Sequence, residues 1–314
     1  MTGFGVRVRA PAKVNLAFSV FGKRPDGYHE IDTLMMALEL ADVLEARPVE
    51  AGFSLELTGP RTAGVPSDDT NLVLRAAREL HALARARGLE PGGVRFALEK
   101  NVPAAAGLGG GSSDAAAAAM ACAHLWDIDP DGAEVLEVLA GLGSDCPFFM
   151  RARESGLARC TGRGEQVEPL PAMVVPHALV VLTPRFGCDT GEVYGAIEPR
   201  PERDALSAFE LASASAGGER LLQASVFNQL EHAARRAVPA LDSFARTLEE
   251  VAPGALRLAG SGSSWFGFQS DEAAAKAFLA RVEVVLRARR YALRGSWVLP
   301  GRSHGMEVLS RRLQ

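Results

Sequence analysis

Apolar residues recur at every second position near the start of the chain. Val6, Val8 and Ala10, then Val14, Leu16, Phe18 and Val20, carry the period-2 spacing of β-strands. Arg24-Pro25-Asp26-Gly27 marks a turn, because Pro presets φ and Gly follows Asp. The strand pattern resumes over 29–47 and again over 53–57. Between Asp69 and Arg87 the period lengthens. Leu72, Leu74, Ala76, Ala77, Leu80, Leu83 and Ala84 form a helical stripe that Gly88 ends. Residues 94–100 alternate again as a strand. A glycine-rich loop then leads into an alanine-rich helix from about 113 to 126, and another helix is expected over 131–142. Residues 146–151 and 177–183 read as strands.

The second half reads as helices near 190–197, 205–215, 219–237 and 240–251, with short strands at 255–259 and 264–268. A helix over 271–289 and a strand over 291–298 follow. No repeat or low-complexity linker interrupts the chain, and glycine and charge break the pattern near 150–165. Strands followed by helices in both halves predict an α+β fold rather than a doubly wound parallel sheet. The expected division is a first domain over 1–155 and a second over 156–314.

Composition narrows the class. The 314 residues are 47% hydrophobic and 23% charged, the balance of a globular chain that is neither disordered nor collagenous. A net charge of −4 gives no general attraction to nucleic acid or anionic lipid. The N-terminus has no apolar signal core, and the longest uncharged apolar run, Ala115–Ala123, is too short to span a bilayer. Cys122, Cys146, Cys160 and Cys188 contain no CxxC pair, and His81, His124, His177, His232 and His304 have no ligand spacing. These features predict a reduced, cytoplasmic protein with neither nucleic-acid nor membrane partners. Only four of the 34 basic residues are lysines, Lys13, Lys23, Lys100 and Lys276. A retained Lys therefore stands where Arg was the easy alternative, and the two differ as a compact point charge differs from a fixed fork.

The candidate chemistry begins at Pro103-Ala-Ala-Ala-Gly107-Leu108-Gly109-Gly110-Gly111-Ser112-Ser113-Asp114. Glycines let backbone N–H groups approach a ligand, and the start of the following helix favours anions. This is either a phosphate cradle or a flexible loop with Ser112 or Ser113 capping the helix. It is not a Walker A loop, since it holds no Lys, nor a Rossmann fingerprint, since Ser112 occupies the last glycine position. Lys13 and Asn15 stand two apart on a predicted strand and so share a face. Asp145 lies among apolar residues before Cys146-Pro147-Phe148-Phe149 and needs a cation or hydrogen bonds nearby if ionised.

Four segments together resemble the GHMP kinase family: PAKVNL at 11–16, PAAAGLGGGSSDAA at 103–116, LGSDCPFF at 142–149 and AGSGSSWFG at 259–267. The segment PAKVNLAFSVFGKRPDGYHE is most similar to the branch whose substrate is a cytidine diphosphate-linked methylerythritol. Two departures are small: Ser261 stands where Thr is also common, and Trp265 is unusually bulky. The resemblance implies a two-domain GHMP kinase fold with the active site in the interdomain cleft. It implies ATP as phosphoryl donor, Mg²⁺ as cofactor, and phosphorylation of the substrate's 2-hydroxyl.

Carried onto this chain, the resemblance makes Asp145 the base that takes the hydroxyl proton, with Lys13 paired to it. Gly107, Leu108, Gly109, Gly110, Gly111, Ser112 and Ser113, with Pro103 before them, become the phosphate-binding loop. The protein offers no complete metal set, Ser113 being the candidate hydroxyl on the metal side. Lys100 is either near the nucleotide base or a surface lysine at a strand end. Asn15, Tyr28, His29, Thr190 and Tyr194 fall to the cytidine substrate, Tyr28 stacking on the base and His29 bonding its edge, while Gly260, Ser261 and Gly262 bring backbone near the substrate diphosphate or the site floor. Rival readings are another GHMP small-molecule kinase and a catalytically silent ligand sensor. Tyr28-His29 speaks against the first and the pair Lys13 and Asp145 against the second. Either a monomer or a homodimer fits.

Overall fold

The computed structural model describes residues 3–172, 174–198, 223 and 225–313. The helix predicted over 205–215, and the first part of that over 219–237, fall outside the described residues.

Two long strands organise the first sheet. β1 (Gly3–Lys23) and β2 (His29–Val49) run antiparallel from the Val6–Ala46 pair to the Lys23–His29 pair. Their register shifts between Pro11 and Lys13, between Asn15 and Ala17, and between Val20 and Lys23. These irregularities explain why period 2 breaks in the sequence although the strand does not. β3 (Phe53–Thr58) and β4 (Gly93–Glu99) extend the sheet beyond one end of β2, with β3 parallel to β4. β5 (Leu157–Gly162) pairs with the other end of β2, and β6 (Gln166–Pro169) with β5.

The helices α1 (Leu72–Ala86), α2 (Gly110–Trp126), α3 (Ala133–Leu142) and α4 (Cys146–Arg151) complete this unit. Asn71 caps α1, its side chain accepting from the Val73 N–H at 2.9 Å. Every residue of Ala115–Ala123 in α2 is buried, packed with Val6, Val8, Leu44 and Phe96 of the sheet. A helix enclosed on all sides carries no polar face, and its small alanines let neighbours approach closely.

The second unit has a four-stranded sheet in the order β11-β7-β10-β9. Its strands are β7 (Val174–Pro184), β9 (Arg257–Leu258), β10 (Trp265–Gln269) and β11 (Leu293–Arg302). It is joined by α5 (Thr190–Gly195), α6 (Leu230–Ala237), α7 (Pro239–Val251) and α8 (Glu272–Ala288). A further apolar cluster ties the units together, with Val14, Leu16 and Leu38 from the long strands against Leu179, Val181, Phe266 and Phe268.

The structure corrects the sequence reading in several places. Residues 146–151 form α4 rather than a strand, with Pro147 in the first turn, where a missing N–H costs nothing. Cutting the chain at 155/156 would sever β5 and β6 from β2. It would also sever two later strands from β1: β8 (Phe227–Asn228) and β12 (Glu307–Leu313). The first unit is therefore closed by residues from the end of the chain. All four cysteines are free and buried. Among the described residues no helix is long and apolar enough to cross a membrane.

Candidate active site

A cleft of about 870 Å³ lies where the two units meet. Its walls come from β1, the turn after it, the glycine loop, the start of α4, α5 and the 260–262 turn.

The glycine loop seats directly on β1. At the strand's first irregularity, the Lys13 N–H donates to the Leu108 carbonyl at 2.9 Å. Gly109, at φ 69°, precedes α2, and a Cβ there would lie 2.9 Å from Lys13 Cγ and 3.0 Å from Phe149 Cζ. Gly107, at φ 77°, is pressed against the opposite wall, where a Cβ would meet the Ala259 carbonyl at 2.2 Å. Only glycine allows both the left-handed turn and these approaches. Ser113 donates its N–H to the Gly109 carbonyl at 2.9 Å, the first bond of the helix. The N–H groups of Gly110, Gly111 and Ser112 have no intrahelical acceptor, and all three residues line the cleft. Such an end attracts anions.

Lys13 is 4% exposed. Its ammonium donates to Asn15 Oδ1 at 2.8 Å and lies 3.3 Å from Asp145 Oδ2. Asn15 in turn donates to Thr33 Oγ1 at 2.9 Å, and Thr33 donates to the Ala17 carbonyl at 2.7 Å. This chain of bonds satisfies Asn15 inside the sheet and fixes the lysine head. Asp145 stands at the N-terminal end of α4 with its side chain 27% exposed, open to the cleft. A Cβ on Gly260 would lie 3.3 Å from both Lys13 Nζ and Asn15 Oδ1, so the 260–262 turn forms the floor beside this pair.

On another part of the cleft wall, the turn after β1 presents Tyr28 and His29. Asp26 Oδ1 accepts the Tyr28 N–H at 3.1 Å, while the Tyr28 carbonyl accepts from Arg24 at 2.7 Å. Tyr28 remains 49% exposed. The His29 ring lies 5.3 Å from the Tyr194 ring of α5, tilted by 35°. Burial, reinforced by the Lys23 charge, lowers the His29 pKa. Burial and nearby Asp145 raise that of Tyr194. Thr190 and Ser261 share a hydrogen bond of 2.9 Å, joining the start of α5 to the floor turn.

The expected residues thus gather in one place, with four differences. Lys100 is not on the cleft wall. It is 2% exposed and lies between Asp42 and Asp114, the latter at 2.5 Å, beneath the start of α2. It is neither a surface lysine nor open to a nucleotide base. Leu108 is packed in the core and meets the site only through its backbone carbonyl. Asn15 reaches the cleft only through Lys13, since its amide is spent inside the sheet. Ser113 is buried, with no hydrogen-bond partner for its hydroxyl, whereas Ser112 lines the cleft. Adjacent helical residues point about 100° apart, so only one serine can face the ligand side. Sequence reasoning missed Lys23, Arg163, Cys188 and Asp189 on the wall. It also missed Asn228, which braces the floor by donating to the Leu258 and Gly260 carbonyls at 2.9 and 2.7 Å. Lys23 lies inside the 11–30 segment and Asp189 beside Thr190, but no local pattern gives any of the five a role.

The Lys100 cluster fixes the helix that carries the loop. Asp42 also accepts the N–H groups of Asn101 and Val102, at 2.5 and 2.8 Å. Burial pushes the Asp114 carboxyl up to about 8 against the pull of Lys100. Burial alone would lower the Lys100 pKa, but the two carboxylates outweigh it and raise it. Removing the one cation leaves two buried acids facing each other. Lys100→Met is therefore expected to cost about 3–5 kcal/mol of stability. Asp114→Asn should cost less, because its amide oxygen still accepts from Lys100. Urea denaturation of the two variants checks the order.

Comparison with known proteins gives the family and the fold. Residues 71–153 match the family described as GHMP kinases N terminal domain. The 4-diphosphocytidyl-2-C-methyl-D-erythritol kinase of Pelotomaculum thermopropionicum is 39% identical over 277 residues, covering 87% of this chain and 92% of its own. A crystal structure of 4-(cytidine 5'-diphospho)-2C-methyl-D-erythritol kinase superposes with a TM-score of 0.74 at 33% identity, over 95% of this chain and 100% of that one. Homoserine kinase from Cytophaga hutchinsonii superposes with a TM-score of 0.69 at 17% identity, over 97% of each chain, and shares the fold alone. The chain belongs to the family of 4-diphosphocytidyl-2-C-methyl-D-erythritol kinases.

Proposed function

We propose that this chain transfers the γ-phosphoryl group of ATP to the 2-hydroxyl of 4-diphosphocytidyl-2-C-methyl-D-erythritol, the kinase step of the non-mevalonate route to isoprenoid precursors. The observation that carries the reading is the Lys13–Asp145 pair, 3.3 Å apart, in one cleft with the glycine loop and the Tyr28-His29-Tyr194 cluster. Phosphoryl transfer asks mainly for alignment and charge stabilisation, and these elements supply both.

The N–H groups of Gly110, Gly111 and Ser112 hold phosphate oxygens. Asp145 accepts the proton of the attacking hydroxyl, and the Lys13 ammonium offsets negative charge on the oxygen as its bond to phosphorus forms. Asn15 keeps the ammonium on that line. The far end of the substrate is recognised by aromatic surface: Tyr28 and Tyr194 offer rings to the cytosine, and His29 offers a ring nitrogen to its edge. Thr190 and Ser261, bonded to each other, close the wall between base and reacting centre.

The chain suits Mg²⁺ held largely by phosphate oxygens. Among the described residues no three acidic, His or Cys groups converge on one metal position. The carboxylate of Asp145 and the hydroxyl of Ser112 are the oxygen donors beside the loop. When bound, the ion neutralises charge on the phosphates.

A thermal-shift screen tests the reading. Cytidine diphosphate compounds are expected to raise the melting midpoint, and homoserine and mevalonate to leave it unchanged. A shift with homoserine or mevalonate alone would reassign the cleft.

A further inference from the structure

Arg163 belongs to none of the glycine motifs, yet it lines the same cleft. It sits in the turn between β5 and β6, and its guanidinium carbon lies 4.7 Å from the centre of the Tyr28 ring. That distance is within the range where a cation is attracted to an aromatic face.

Backbone bonds fix the turn that carries Arg163, and one hydrogen bond tethers its guanidinium. Its Nη2 donates to the Ala140 carbonyl of α3 at 2.6 Å. The Arg163 backbone N–H donates to Glu165 Oε2 at 2.7 Å, and the same carboxylate lies 4.0 Å from Arg163 Nε. The turn is also tied to the strand that follows Tyr28, because the Gly162 N–H donates to Glu30 Oε1 at 3.1 Å. On the tyrosine side, the backbone is fixed by Asp26 and Arg24, but the ring is half exposed. An exposed ring samples several rotamers, and ordering it on binding costs affinity. A guanidinium tethered to α3 supplies that order in advance.

We propose that Arg163 is a positioning residue for base recognition: it covers one face of Tyr28 and leaves the other as the stacking face for the cytosine. The inference rests on the reading that Tyr28 stacks on the base. It predicts that Arg163 acts on the cytidine substrate through Tyr28 and not on ATP.

The test is a double-mutant cycle of Arg163→Met and Tyr28→Ala, read by steady-state kinetics with each substrate varied in turn. Met keeps much of the side-chain length and removes the planar cation. Arg163→Met is expected to raise KM for the cytidine substrate about three- to tenfold, with kcat and the KM for ATP unchanged. Arg163→Lys, which keeps a charge without the fork, should fall between it and wild type. In the Tyr28→Ala background Arg163→Met should add nothing. An undiminished rise in that background would mean that Arg163 contacts the substrate directly, and the proposal would fall. It would fall equally if the KM for the cytidine substrate stayed unchanged or dropped in the single variant. If Tyr28→Ala raises this KM and Arg163→Met does not, the stacking reading survives and this inference fails. If Tyr28→Ala itself has no effect, both fail. Should Arg163→Met not fold, Arg163→Lys carries the same cycle with the same signs.

Discussion

Asp145→Asn is expected to lower kcat by about 10²–10⁴-fold, the usual contribution of a general base, while ATP binding stays near its wild-type strength. The two halves of this expectation come from different parts of the cleft. An amide has the shape of the carboxylate but accepts a proton poorly, so the hydroxyl attacks without its base. Lys13 keeps its hydrogen bond to Asn15 at 2.8 Å and does not collapse into the space. The glycine loop is anchored on β1 through the Lys13 N–H and the Leu108 carbonyl, independently of the 145 side chain. Steady-state rates, combined with ATP titration by calorimetry, measure both halves. A rate within a few-fold of wild type, in a variant whose circular dichroism is unaltered, would remove Asp145 from the role of base.

The second large effect is on selectivity. GHMP clefts can deliver a phosphoryl group to many alcohols, so discrimination must come from groups remote from the reacting hydroxyl. Under the proposed function the remote group is a cytosine, and Tyr28 offers it a half-exposed ring on the cleft wall. Losing one stacking ring costs about 1–3 kcal/mol, or roughly ten- to a hundredfold in affinity. Stacking held equally in ground and transition states changes KM and leaves kcat alone. Tyr28→Ala is therefore expected to raise KM for the cytidine substrate by that factor, with kcat and the KM for ATP little changed. If the ATP constant rose and the cytidine constant stayed put, the two ends of the cleft would have to be exchanged.

Much of this arrangement was legible in the sequence because its elements are local. Period-2 spacing marked both long strands, and the stripe from Leu72 to Ala84 marked α1. The glycines before α2 pointed to a phosphate cradle because their chemistry is carried in consecutive residues. Residues 146–151 misled because a short apolar run has no decisive period, and Pro147 fits the first turn of a helix as well as it fits a strand end. The last strand, β12, carries charged residues on an edge and has no apolar pattern to announce it; only its partner β1 explains it.

What the sequence left dark is long-range. Lys100 meets Asp42 across 58 residues and Asp114 across 14, and no local rule distinguishes that cluster from a ligand-facing lysine. Arg163 meets Tyr28 only because β5 pairs with β2, bringing Gly162 opposite Ile31. Asn228 reaches the floor turn because β8 adds to β1. Each contact depends on strand pairing, a property of the whole sheet rather than of any window of sequence.

The most direct measurement is phosphorus NMR of a reaction containing the purified protein, ATP, Mg²⁺ and 4-diphosphocytidyl-2-C-methyl-D-erythritol, run beside parallel reactions with homoserine and with mevalonate in its place. The expected result is a new phosphomonoester resonance on the carbon-2 oxygen, growing in step with ADP, with the substrate diphosphate intact and no product from homoserine or mevalonate. ADP formation without that resonance, or transfer to one of the other alcohols instead, would contradict the assignment of this cleft.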